Sequence, residues 1–153
     1  MLSALLLCAV VGISDGDTLT VRCKTERAPR TLKVRLAEID APEKSQRFGR
    51  RSKQHLSDIC FRKTAELRPI TIDSYGRTVA HVTCGRIDAS EEQVRTGMAW
   101  VFSRYAGKSS ALYRVEHDAR AARRGLWIDR SPVAPWEWRT SAHDQFERRV
   151  RSD

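Results

Sequence analysis

Short stretches in the N-terminal third carry an apolar side chain at every second position, which is typical of half-buried β-strands. Thr31–Ile39 shows the pattern most clearly, because Leu32, Val34 and Leu36 fall on one face of the predicted strand. Arg35 falls on the opposite face of the same strand. The sequence therefore predicts that the chain begins as a β-structure.

A tight hairpin is predicted where Asp15-Gly16 lies between two β-rich runs. The hairpin joins the predicted strands Cys8–Ser14 and Asp17–Lys24. A two-residue loop at positions 15 and 16 fixes the register of the pair. It places Ser14 opposite Asp17, Ile13 opposite Thr18 and Cys8 opposite Cys23.

Helices and strands alternate along the rest of the chain, as periodicity and helix-stop residues indicate. The predicted elements are a helix over Phe48–Cys60, strands over Leu67–Ile72 and Thr78–Cys84, a short helix over Ala89–Thr96 and the longest helix over Ser110–Arg124. Five short strands with an inserted helix fit a small, partly open barrel of the OB-fold type. That barrel is a common scaffold for binding oligonucleotides.

Each end of the chain has two interpretations. The apolar stretch Ala4–Ile13 is too short to cross a bilayer as a helix, so it is either the end of a truncated signal segment or a buried first strand. Trp136 and Trp138 are expected to pack a loop down, and the polar chain from Arg139 is either a frayed helix or disordered. The expected divisions are 1–8 (signal remnant or strand start), 9–138 (the domain) and 139–153 (a polar tail).

The four cysteines favour disulfide bonds over metal binding, because none forms a C-x-x-C pair. The hairpin register brings Cys8 and Cys23 to cross-strand positions that a disulfide can bridge. Cys60 and Cys84 are then left to each other. Two disulfides imply an oxidising compartment, so we expect a periplasmic or secreted protein. The alternative is four reduced, buried thiols in a cytosolic protein.

The charge of the chain points to an anionic partner. The formal net charge is +9, while 41% hydrophobic residues suffice for a folded core. Nucleic acid, anionic lipid and sulfated polymers all remain open as partners at this point. The composition disfavours a coiled coil, a collagen-like chain and a polytopic membrane protein.

Three acidic residues stand beside turns and strand ends in this basic chain: Asp17, Asp40 and Glu43. Gathered at one end of a barrel, they would offer the hard oxygen ligands that Ca²⁺ and Mg²⁺ prefer. Arg35 and Arg77 could complete such a site, since a planar guanidinium binds phosphate in a bidentate manner. The alternative is that these are ordinary turn residues and solvated arginines.

Three segments in this order resemble the staphylococcal (thermonuclease-like) nuclease family. They are Asp15-Gly-Asp-Thr18, Val34-Arg-Leu-Ala-Glu-Ile-Asp-Ala-Pro-Glu43 and Asp73-Ser-Tyr-Gly-Arg77. The resemblance continues through Gln93–Ala99 and Ala119–Trp127, so that it covers about residues 10 to 128. It implies an OB-fold barrel with three α-helices and a Ca²⁺-dependent phosphodiesterase that acts on DNA and RNA.

The resemblance also implies roles for individual residues. Asp17, Asp40 and the backbone carbonyl of Ala41 would bind one Ca²⁺ ion, and Glu43 would act as the general base. Arg35 and Arg77 would bind phosphate, Tyr75 would line the nucleotide site, and the products would end in 3′-phosphate. Ser74 and Ser103 stand where the best-known member has a lysine and a tyrosine, and Tyr105 is expected to replace the latter.

Two other functions compete with the nuclease. One is a non-catalytic OB-fold module that binds nucleic acid. Such a module would be expected to lose at least one of the five charged residues of the proposed site, which are Asp17, Arg35, Asp40, Glu43 and Arg77. The other is a basic surface protein that binds lipid or sulfated polysaccharide, which accounts for the net charge but not for the carboxylates. We expect a monomer without an obligate protein partner and without a transmembrane segment.

Overall fold

A computed structural model describes residues 4–151 as a β-barrel with helices packed around it. The strands are β1 (Leu6–Asp15), β2 (Thr18–Cys23), β3 (Arg30–Leu36), β4 (Ile39–Asp40), β5 (Thr64–Ile72), β6 (Thr78–Cys84), β7 (Ile87–Asp88) and β8 (Trp100–Val101). The helices are α1 (Gly49–Cys60), α2 (Ala89–Arg95), α3 (Leu112–Ala121) and α4 (Pro135–Val150), and Gly125–Ile128 forms a 3₁₀ turn.

Five long strands close the barrel in the order β3-β2-β1-β5-β6. Parallel pairing of β3 with β6 closes it, with Val34 opposite Thr78 and Leu36 opposite Ala80. The short β7 extends the edge of β6, and β4 pairs with β8 in a separate two-stranded sheet. The five-stranded barrel of the OB-fold type predicted from the sequence is confirmed.

The barrel interior is filled by the alternating apolar residues. The side chains of Leu19, Val21, Val34, Leu67 and Val82 have no exposed surface. Leu56 of α1 is equally buried and packs against the same cluster. Apolar burial on this scale is the main stabilising contribution to the fold.

The β1–β2 hairpin differs from its predicted register near the turn. Asp15 pairs with Thr18, so the loop residues are 16 and 17 instead of 15 and 16, and the pairing of Ser14 with Asp17 and of Ile13 with Thr18 is wrong. Two irregularities in β1, one on each side of Gly12–Ile13, then shift the register back, as a glycine in a strand allows. As a result, Cys8 still lies opposite Cys23.

Both predicted disulfides are present. Cys8–Cys23 joins β1 to β2, and Cys60–Cys84 joins the last residue of α1 to the last residue of β6. No free cysteine remains.

The helices follow the predictions with two exceptions. The side chain of Asp88 caps α2 by accepting a hydrogen bond from the Glu91 N–H. α3 is shorter than predicted and is not the longest helix, since α4 has 16 residues against its 10. α4 is a fourth α-helix beyond the three that were expected. No helix between residues 4 and 151 combines the length and apolar character that a bilayer span requires.

α4 begins where the sequence was expected to form a packed loop, and it continues past residue 138. Pro135 occupies the first turn, where its missing N–H costs nothing. Trp136 stacks on Phe102 with ring centroids 5.2 Å apart and meets Trp100 edge-on at 5.6 Å. The chain from Arg139 is thus helical up to Val150, and the expected boundary at 138/139 lies inside α4.

Candidate active site

The β1–β2 turn directs Asp17 into the end of the barrel. The Asp15 carboxylate accepts a hydrogen bond from the Asp17 N–H at 3.0 Å. The Asp17 side chain is buried, where its Oδ1 accepts from the Thr18 hydroxyl at 2.9 Å and its Oδ2 from the Ala41 N–H at 2.7 Å. These bonds fix the carboxylate against the residue that follows Asp40.

Gly16 allows the turn to pack closely against α1. A Cβ atom at this position would overlap the Ser52 hydroxyl and lie 2.9 Å from Ala41 Cβ. The carbonyl oxygen of Gly16 accepts a hydrogen bond from the buried side-chain amide of Gln93 at 2.6 Å. The same amide donates to the Ser52 carbonyl at 3.1 Å, so Gln93 connects α2 to both α1 and the turn.

Arg35 is buried at the end of β3 and lies between the two aspartates. Its Nη1 donates to the carbonyl of Ile39 at 2.7 Å and to that of Leu36 at 3.1 Å. Its Nη2 lies 3.2 Å from Asp40 Oδ1 and 3.5 Å from Asp17 Oδ2. A guanidinium held at both terminal nitrogens, Nη1 and Nη2, has a fixed orientation. Its charge offsets those of the two buried carboxylates.

Glu43 is held by a short loop after Pro42. Its N–H donates to Gln46 Oε1 at 3.1 Å, and its carbonyl accepts from the Gln46 N–H at 2.9 Å. Gln46 in turn donates from Nε2 to the Val133 carbonyl at 2.6 Å. The backbone that carries Glu43 is therefore tied to the segment just before α4.

The β5–β6 turn carries Tyr75 and Arg77. Asp73 organises this turn, because its Oδ1 accepts from the N–H groups of Tyr75 and Arg77, both at 3.0 Å. Its Oδ2 accepts from Arg77 Nε at 2.7 Å. The Arg77 guanidinium also lies over the Tyr75 ring, 5.3 Å from its centroid. Asp73 therefore orients Arg77 through one nitrogen and leaves the outer nitrogens for another partner.

One open cavity of about 600 Å³ brings all the sequence-predicted site residues together. Its lining includes Asp17, Arg35, Asp40, Ala41, Glu43, Tyr75, Arg77 and Tyr105. Tyr75 is 83% exposed and Tyr105 61% exposed, so both rings stand at the cavity edge with free surface. The cavity can hold an anionic group against the arginines and a flat ring against a tyrosine.

Burial and neighbouring charges shift the pKa values of Asp15, Asp17 and Asp40. Burial, together with the neighbouring charge of Asp17, raises the pKa of Asp15 to about 7. Burial also acts to raise the pKa of Asp17, but the Arg35 charge and hydrogen bonds to the carboxylate outweigh it, so the pKa is lowered. The pKa of Asp40 is raised by burial in spite of its two arginine partners. Among these three aspartates, Asp17 is thus the one whose pKa is lowered.

Arg139 is a residue of the candidate site that the sequence interpretation missed. Its Nη2 lies 2.6 Å from Asp40 Oδ2, and its Nη1 lies 3.2 Å from Asp40 Oδ1 and 2.7 Å from Glu43 Oε1. These contacts raise the pKa of Arg139, although burial opposes them. One sequence signal was available, since Trp136 and Arg139 are three residues apart and share a face once Pro135 begins a helix.

The donor set fits a hard divalent cation that is only partly ligated by protein. Asp17 and Asp40 offer carboxylate oxygens, and Ala41 lies beside them in the cavity wall. Within residues 4–151, no group of three or more His, Cys, Asp or Glu side chains is arranged to hold a metal ion. A bound cation would thus depend on water or on substrate oxygens for its remaining ligands.

Comparison with known proteins places the chain in a family. The family model described as "Staphylococcal nuclease homologue" matches residues 33–129. An "Uncharacterized endonuclease" of Haemophilus influenzae is 46% identical over 132 residues, which is 86% of this chain and 72% of the relative. The "Micrococcal nuclease" of Shigella flexneri is 39% identical over 144 residues, or 87% and 80% of the two chains. The chain therefore belongs to the staphylococcal nuclease homologue family.

Proposed function

We propose that this protein is a nuclease that uses a divalent cation, Ca²⁺ in particular, to hydrolyse phosphodiester bonds of DNA and RNA. The observation that carries the proposal is the grouping of Asp17, Asp40 and Glu43 with Arg35 and Arg77 around one open cavity. The family match and the names of the relatives support the same reaction class. A net charge of +9 favours a polyanionic substrate.

The substrate would bind through backbone charge and base stacking. Arg77 presents its outer nitrogens to a phosphate while Asp73 holds its Nε. Tyr75 and Tyr105 offer exposed rings on which bases can stack without regard to sequence. Because phosphate contacts and base stacking do not depend on the base sequence, we expect weak sequence preference. We also expect binding that weakens strongly with added salt.

Asp17, Asp40 and the Ala41 carbonyl would hold the cation. When bound, a divalent cation supplies Lewis-acid polarisation of a phosphoryl oxygen. Arg35 stays in place throughout, since its Nη1 is tied to the backbone carbonyls of Leu36 and Ile39. Its preset charge then stabilises the negative charge that develops on the phosphoryl oxygens.

Glu43 would take the proton from the attacking water. Its side chain is 39% exposed at the cavity, so water can reach the carboxylate. The water oxygen forms a bond to phosphorus while the bond to the 5′ oxygen of the next nucleotide breaks, and that oxygen takes up a proton from solvent. The products would therefore carry a 3′-phosphate on one fragment and a 5′-hydroxyl on the other.

The two disulfides support a location outside the reducing cytoplasm, and we propose a periplasmic or secreted enzyme. All the residues proposed for this activity belong to one chain, and we propose a monomer as the active form.

Hydrolysis of circular single-stranded DNA tests the proposal. The wild-type protein, Arg77→Ala and the matched exposed control Arg86→Ala would be compared with added Ca²⁺ and with EDTA. We expect wild type and control to cut only with Ca²⁺, and Arg77→Ala to lose most of the activity. Treatment with a phosphatase specific for 3′ ends would then release phosphate from the fragments. DNA binding without cleavage under Ca²⁺, Mg²⁺ and Mn²⁺ would instead support the non-catalytic module.

A further inference from the structure

Arg139 reaches the candidate active site from a helix that lies outside the segment matched by the family model. The family model matches residues 33–129, whereas α4 spans Pro135–Val150. From there, the guanidinium of Arg139 bridges Asp40 and Glu43. The bridge joins a proposed cation ligand to the proposed general base.

The first turn of α4 is built to deliver this side chain. Ala134 and Pro135 are buried, Trp136 stacks on Phe102, and the Val133 carbonyl accepts a hydrogen bond from Gln46. Beyond Arg139 the helix is largely exposed, with Phe146 63% and Val150 59% accessible. The anchoring contacts of α4 are therefore concentrated next to the residue that enters the site.

The Glu43 carboxylate depends on this arginine for its position. In the part of the chain that the structure describes, Arg139 is the only residue that forms a hydrogen bond or ion pair with that carboxylate. The side chain is also 39% exposed, so packing does not fix its rotamer. Without Arg139, the carboxylate would sample several rotamers in water.

We propose that Arg139 is a positioning residue of the reaction, which holds Glu43 beside Asp40 at the expense of affinity for the divalent cation. The inference rests on the proposed nuclease function. It assigns a role to α4 that neither the barrel nor the matched segment provides.

The reduced affinity for the cation follows because Arg139 and the cation would share the carboxylate of Asp40. Both oxygens of Asp40 accept hydrogen bonds from Arg139, and Oδ1 is also bonded to Arg35. A cation bound at Asp40 would therefore lie close to the positive charge of Arg139 and compete with it for the same oxygens. Removal of Arg139 should accordingly tighten cation binding while it slows the reaction, a combination that general loss of structure does not produce.

The test compares Arg139→Ala, Arg139→Lys and the control Arg149→Ala, which removes an arginine from the exposed end of the same helix. Rates on single-stranded DNA at saturating Ca²⁺ give kcat and KM, calorimetry gives Ca²⁺ affinity, and thermal unfolding reports folding. For Arg139→Ala we expect kcat to fall about 10- to 100-fold with KM nearly unchanged. We expect its Ca²⁺ dissociation constant to decrease about threefold or more.

Arg139→Lys should recover part of kcat, because an ammonium can reach one carboxylate but cannot bridge two. Arg149→Ala should match wild type in all three measurements. An Arg139→Ala protein with undiminished kcat, or with unchanged or weaker Ca²⁺ binding, would overturn the proposal. If Arg139→Ala fails to fold, Arg139→Gln, which keeps donor groups without the charge, takes its place with the same expectations. A wild-type protein that binds Ca²⁺ but cuts no nucleic acid would refute the proposed function itself.

Discussion

The side-chain amide of Gln93 in α2 donates a 2.6 Å hydrogen bond to the carbonyl oxygen of Gly16, in the turn that carries Asp17. Gln93 is fully buried, and its Oε1 also lies 2.6 Å from His55 Nδ1. A helix remote from the cavity thus holds the backbone next to a proposed cation ligand.

Gln93→Ala should therefore affect both stability and the site. The change leaves the Gly16 carbonyl buried without its donor, which costs about 2–4 kcal/mol when the resulting cavity is included. Urea unfolding of this variant and of the exposed control Gln145→Ala measures the difference. Ca²⁺ binding should weaken only in Gln93→Ala, because Asp17 follows Gly16. Equal free energies of unfolding for Gln93→Ala and Gln145→Ala would show that the hydrogen bond from Gln93 to Gly16 contributes nothing to stability.

Glu43→Gln should separate binding from turnover. The amide keeps the shape of the side chain but cannot accept the proton of the attacking water, so kcat should fall about 10²- to 10⁴-fold. Affinity for single-stranded DNA, measured without turnover, should remain close to that of wild type. The exposed Glu26→Gln serves as a control for the loss of one negative charge. Turnover near the wild-type rate would remove Glu43 from the chemistry.

Asp73 should contribute an acid-sensitive part of the stability. Partial burial acts to raise its pKa, but hydrogen bonds from the Arg77 N–H, the Arg77 side chain and the Tyr75 N–H lower it below the usual 3.8. A carboxyl group whose pKa is lower in the folded than in the unfolded protein stabilises the fold at pH values above its unfolded-state pKa. This contribution is lost as the pH falls through the folded-state pKa.

Melting temperatures of wild type and Asp73→Asn between about pH 7 and pH 2 test this titration. We expect Asp73→Asn to be less stable at neutral pH and the difference to shrink below about pH 4. The exposed Asp144→Asn should follow wild type throughout. A difference that stays constant with pH would contradict the assignment.

The two disulfides should each contribute about 3 kcal/mol, since they close loops with sequence separations of 15 and 24 residues. Thiol titration of native, unreduced protein should find no free thiol. Cys60→Ser/Cys84→Ser should unfold at a lower urea concentration than wild type. Four titratable thiols in freshly made native protein would undo the argument for an oxidising compartment.

Much of the candidate site could be predicted because its residues lie at positions fixed by local chemistry. Asp17 follows a tight turn, Asp40 and Glu43 flank a proline, and Arg77 follows a glycine turn. The Cys8–Cys23 pairing was also predictable, although the predicted turn was misplaced by one residue. Two irregularities in β1 restored the register, and hydrophobic alternation alone does not locate such bulges.

Arg139 could not be placed, because its role depends on the tertiary docking of α4. The helix has a weakly amphipathic sequence. Trp136 stacks on the distant Phe102, and the segment just before the helix is bonded to the distant Gln46. Local sequence patterns therefore did not distinguish a frayed helix from a disordered segment. The packing of Trp136 on Phe102 favours the helix, and this contact forms only in the assembled tertiary structure.

Both covalent cross-links lie within the part of the chain that forms the barrel and α1, since one joins β1 to β2 and the other joins α1 to β6, whereas the chain from α2 to α4 is held by noncovalent contacts alone. We therefore expect sub-global opening on heating to begin in the C-terminal part, which carries Tyr105 and Arg139. Heat inactivation should then precede the melting of the barrel. On cooling, we expect the cross-linked barrel to serve as a template on which the remaining part of the candidate site refolds.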